Sequence, residues 1–310
     1  LTLELNDLSK GKVLWADKVD NFTLNDIFKI QDEIGNKILG QLQITAVVGQ
    51  QAKQLMSEFE TFDQYLLFLN YETEWRKYSK EGYDNTLEIL EKLKALNTNK
   101  NVIDYVEAWI AHQALFMGFS QNEKSEDLKR LDYLTNSLIK NRGNERDYSL
   151  RALVELEHLS KDCSVANNYL PKSLDNSNDS HNLVTAGFIH HACGDYEKSI
   201  PCFHEALRYA PVDRGYVVSQ LLVADFYNLG RMEEIKDFIG DRINNVDMKP
   251  MILWIYASME QENGNTEKAK EYFERGKNNG AREQWIFGTL RNKEATEKLT
   301  KYLKVLGPLD

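Results

Sequence analysis

A glycine turn between two apolar-patterned helices recurs at Gly194, Gly230 and Gly264, at intervals of 36 and 34 residues. Self-similarity at that period means that one helical hairpin is being stacked on the next, because a lone hairpin cannot bury its apolar face. The fullest unit runs from Asn182 to Pro211. Ala186-Gly187 supplies small residues where the second helix must approach the first, and Gly194-Asp195-Tyr196 supplies the turn. Phe203 and Ala206 form the large and small packing pair, and Pro211 stops the second helix. Ala269 and Phe273 take the same places after Gly264, and Ile235 and Ile239 take them after Gly230.

The Asn182–Pro211 unit closely resembles a tetratricopeptide repeat. His190, where a larger aromatic is usual, and Ser199, where alanine is usual, are its departures. The resemblance implies units at about 180–213, 214–247 and 250–280. Upstream, Tyr65–Leu96, Val102–Lys140 and Asp147–Leu174 read as worn helix pairs, the first keeping a Gly82-Tyr83 turn. Trp285 to Leu306 reads as one or two helices capping the array. The expected fold is therefore mainly α: a right-handed superhelix of about six helical hairpins over residues 58–310.

Residues 1–57 follow another pattern. Leu1–Leu5 alternates apolar and polar residues, Asn6–Gly11 is a turn cluster, and Lys12–Val19 reads as the returning strand of a β-hairpin. Thr23-Leu-Asn-Asp26 is a capping-box pattern before a helical stripe of Ile27, Ile30, Ile34 and Ile38. Two strands and one helix are marginal alone, so this reads as the truncated end of an α/β domain, in a chain cut from something larger. The strings Gly11-Lys-Val-Leu-Trp15-Ala16 and Asp26-Ile-Phe28-Lys-Ile-Gln31-Asp32-Glu33-Ile34 resemble the end of a TolB-like domain. That family commonly precedes tetratricopeptide repeats in bacterial signalling proteins, behind a class III adenylate/guanylate cyclase or a winged-helix DNA-binding domain. The resemblance implies a regulatory tail of a cyclase, with a sensor of a membrane-anchored transcription activator as the alternative. A small-molecule receptor is a third reading.

Chemistry within the chain is sparse. No phosphate-binding glycine loop, G-x-S-x-G elbow, C-x-x-C or H-E-x-x-H occurs, so no catalytic residue and no cofactor is expected. Asp26, Asp32 and Glu33 are read as a cap and a solvated helix face rather than as acid/base groups. His181, His190, His191 and His204 crowd into one repeat with Cys193 and Cys202. Their spacing turns neighbours apart, so zinc is not expected. Three cysteines, Cys163, Cys193 and Cys202, read as partly buried thiols, with a Cys193–Cys202 bridge left open. Cytoplasm is accordingly favoured over the periplasm, which an upstream transmembrane helix would imply.

Binding is expected on the concave face, lined by the first helix of each hairpin. Repeat positions place His181, Phe188 and His191 there, then Gln220, Tyr227 and Asn228, then Trp254, Ser258 and Gln261. This lining is aromatic and amide-rich with few lysines, which suits an uncharged or mildly basic peptide. The bland alternative is that these aromatics only pack between helices. A net charge of −10 argues against nucleic acid, and the longest apolar run, Met251–Met259, is too short to span a membrane. The open strand edge at Leu1–Leu5 suggests a homodimer.

Overall fold

The computed structural model describes residues 2–7, 12–18, 58–120, 122–175, 179–209, 217–283, 286, 290 and 292–309. Two strands, β1 (Thr2–Asp7) and β2 (Lys12–Lys18), pair antiparallel, with Thr2 opposite Lys18 and a register irregularity after Leu5. The expected helix over Ile27–Ile38, with Asp26, Asp32 and Glu33, lies outside the described residues. So does any TolB-like domain built on it. All other described elements are helices. Contacts divide the chain into residues 1–121 and 122–310.

In the first unit α1 (Phe62–Trp75) and α2 (Lys80–Ala95) form a hairpin, and α3 (Lys100–Met117) packs on α2. Thr61 and Gln64 form a capping box at the start of α1. The same Gln64 amide donates to the Leu96 carbonyl at 3.0 Å, tying that end of α1 to the end of α2. At the other end, Gln113 of α3 donates to the Trp75 carbonyl at 2.8 Å, beside an edge-to-face Trp75–Trp109 pair.

The second unit opens with α4 (Lys124–Asn141) against α5 (Glu145–Glu157). Arg151 of α5 is buried and donates to Asp132 at 2.7 Å and Thr135 at 2.9 Å, with Glu155 as its third partner. The worn pair expected at Asp147–Leu174 departs from a hairpin. Its second half is two short helices, α6 (Cys163–Asn167) and α7 (Leu170–Ser173), both packed on α5. Lys161 takes a left-handed φ of 54°, Asp162 caps α6, and Pro171 opens α7. One continuous helix is thereby broken in two.

Three hairpins follow: α8 (Ser180–Ala192) with α9 (Tyr196–Tyr209), α10 (Val217–Asn228) with α11 (Met232–Ile239), and α12 (Pro250–Glu262) with α13 (Thr266–Asn278). Gly194, Gly230 and Gly264 sit at φ values of 79°, 71° and 80°, the left-handed turn that the period predicts. A side chain at Gly187 would stand 2.6 Å from the Phe203 ring, which accounts for the small residue. Phe203, Ile235, Ile239, Ala269 and Phe273 are all buried, as the repeat pattern requires. α10 packs against α8, α9 and α12, so successive first helices lie side by side. The terminal helix α14 (Lys293–Leu306) packs on α12 and α13 and buries Leu299 and Leu303. Met251 to Met259 of α12 are consequently buried on every face.

Candidate interaction face and the seams between repeats

Three residues before each turn glycine stand His191, Tyr227 and Gln261. The first two reach across to the next repeat. His191 Nδ1 lies 2.5 Å from Asp225 Oδ1, both side chains being buried. A carboxylate only accepts, so Nδ1–H donates. The second Asp225 oxygen accepts from the Ser199 hydroxyl. One repeat on, the Tyr227 hydroxyl lies 2.9 Å from Ser258 Oγ, again buried. Burial pushes the Tyr227 phenol well above its ordinary value, against the opposing effect of the Ser258 bond. The result is a ladder of polar pairs between first helices, α8 to α10 to α12, inside an apolar core.

This geometry sorts the nine residues expected on the concave face. His191, Tyr227, Asn228, Trp254 and Ser258 are buried, so they are not offered to a partner in this arrangement. Trp254 turns toward the second helix of its own hairpin. Its ring stacks on Phe273 with centroids 5.9 Å apart, its Nε1 donates to the Phe273 carbonyl, and only glycine fits opposite it at 276. The Asn228 carbonyl faces Asn292 Nδ2 at 3.5 Å, at the start of α14. His181, Phe188, Gln220 and Gln261 are half-buried and remain accessible. All four are uncharged or weakly basic side chains.

Sequence reasoning missed two links that hold α8, one to α5 and one to α6. Asp179 caps α8 by accepting from the His181 N–H at 2.9 Å and also receives Arg146 of α5 at 2.7 Å. Burial alone would raise the Asp179 carboxyl. The Arg146 and His181 charges and these hydrogen bonds outweigh it and hold the group below its ordinary range. The second link is covalent. Cys163 and Cys193 form a disulfide with Cα atoms 5.8 Å apart, which corrects both cysteine expectations. Cys202 is the free thiol, and burial pushes its pKa up. Bonded in this way, Cys193 is no thiolate ligand.

Among the described residues no helix is long and apolar enough to cross a membrane. No curated protein matches this chain, and the TolB-like and cyclase resemblances find no support in these comparisons. A tetratricopeptide-repeat family model matches residues 181–213, the α8–α9 unit whose seam to α10 is described above. The chain carries a tetratricopeptide repeat there, within a mainly helical structure.

Proposed function

We propose that the second unit is a non-catalytic protein-interaction scaffold, with the accessible parts of α8, α10 and the end of α12 as its binding face. The carrying observation is the matched repeat at 181–213, since repeats of this kind generally mediate protein–protein contacts. Phe188 and Gln220 are the central contacts, flanked by His181 and Gln261. The ligand is an uncharged or mildly basic peptide segment, in keeping with a protein of net charge −10. Screening a displayed peptide library against the wild type and Phe188→Glu tests this. Peptides of that class should be enriched by the wild type and lost with the variant. Enrichment of acidic peptides, or equal retention by both proteins, contradicts it.

The finer form of the proposal is control of an attached nucleotide cyclase through dimerisation. It rests only on the resemblance carried by residues 11–34. Light scattering with and without residues 1–57 tests it: a dimer lost on deletion supports that form, and a monomer in both cases removes it.

A further inference from the structure

The Cys163–Cys193 bridge anchors α6, which with α7 forms a strap of two very short helices. α6 and α7 are five and four residues long, far too short to persist without tertiary support. Their support is a small cluster separate from the main core, with Ala152, Ala166, Leu170, Ala186 and Ile189 buried and partly exposed side chains such as Tyr169 and Leu174 packed against them. Three of the five buried members are alanines and the larger side chains around them stay partly exposed, so docking removes less apolar area from water than the main core does. The main core, by contrast, runs from Ile200 through Leu303 with Phe203, Phe226, Trp254 and Phe273 in it. Both bonded cysteines are half-buried rather than enclosed, and access is what attack by a thiolate from solvent requires.

We propose that α6–α7 is a redox-latched strap: the disulfide holds it over α5 and α8, and reduction releases it without unfolding the three hairpins. Release uncovers Ala186 and Ile189 on α8, next to the proposed binding face. The reductant is a dithiol. Its thiolate attacks one sulfur of the bridge, forming a mixed disulfide and expelling the other sulfur as a thiolate. Its second thiol then displaces the protein and leaves as a cyclic disulfide. Two electrons and two protons end on Cys163 and Cys193. Cys202 is not the attacking group, because burial keeps its thiol protonated.

Hydrogen exchange followed by mass spectrometry on the full chain tests the latch, comparing oxidised protein with the same protein in dithiothreitol. Reduction should speed exchange in 163–173 by up to about 500-fold, the equivalent of the loop closure lost across a sequence separation of 30. It should speed exchange in 183–189 as well, leave 217–278 unchanged, and reverse on reoxidation. Cys163→Ser should resemble the reduced protein, and Cys202→Ser the oxidised one. Unchanged protection in 163–173 overturns the proposal, as does protection lost equally along 217–278. Alkylation of all three cysteines in the oxidised chain overturns it too.

Discussion

His191 on α8 and Asp225 on α10 occupy neighbouring repeats, 34 residues apart, and meet at 2.5 Å with neither side chain exposed to solvent. A buried carboxylate with two donors fixes how the two hairpins stack. Asp225→Ala strands both donors, His191 and Ser199. It should destabilise the second unit by about 3–5 kcal/mol, the usual loss on removing one partner of a buried pair. Replacing His191 and Asp225 together by leucine should cost far less. Urea unfolding of the single and double variants measures the coupling.

Gly187 is the closest approach within the α8–α9 hairpin. Gly187→Ala puts a methyl group against the Phe203 ring and should cost about 1–3 kcal/mol through overpacking. Adding Phe203→Leu should recover part of that loss, because the obstructing ring is then gone. Thermal melts of the two proteins decide it.

Acid should loosen the link between α5 and α8. The Asp179 carboxyl is held below its ordinary 3.8, so its contribution is fully present above that value. It is lost as pH falls through the lowered folded value. Unfolding free energies of the wild type and Asp179→Asn should therefore differ at pH 7 and converge below about pH 4. A constant gap across that range would contradict the assignment.

Alkali should act at Tyr256, whose hydroxyl donates to the Ile235 carbonyl. Burial, with the neighbouring Tyr272, pushes its phenol up from 10.0 to about 12. A raised value stabilises fully below pH 10 and is lost as pH rises toward 12. Tyr256→Phe should flatten the fall in stability over that interval, as read by denaturant titrations at each pH.

The repeat was legible because its signals are local. A glycine at φ near 80°, an alanine and a phenylalanine at set offsets, and a stopping signal lie within one hairpin and need no partner to be recognised. The seams were not legible. Whether a first-helix residue faces a groove or the next helix depends on how two repeats cross, which no single repeat encodes. Tyr227 and Ser258 therefore looked like groove residues, yet they bond to each other. Trp254 misled for a related reason, since Gly276 opens a slot for its ring that pattern alone does not reveal. The Cys163–Cys193 pair needed α5 to bring two distant helix ends together, and spacing suggested only its nearer neighbour Cys202.

The most direct test of the scaffold account is nuclear magnetic resonance mapping of a library-selected peptide on the second unit of the intact chain. Shift changes centred on Phe188 and Gln220, fading toward His181 and Gln261 and abolished in Phe188→Glu, are the predicted result. Changes confined to the second helices α9, α11 and α13, or none at saturating peptide, would contradict it.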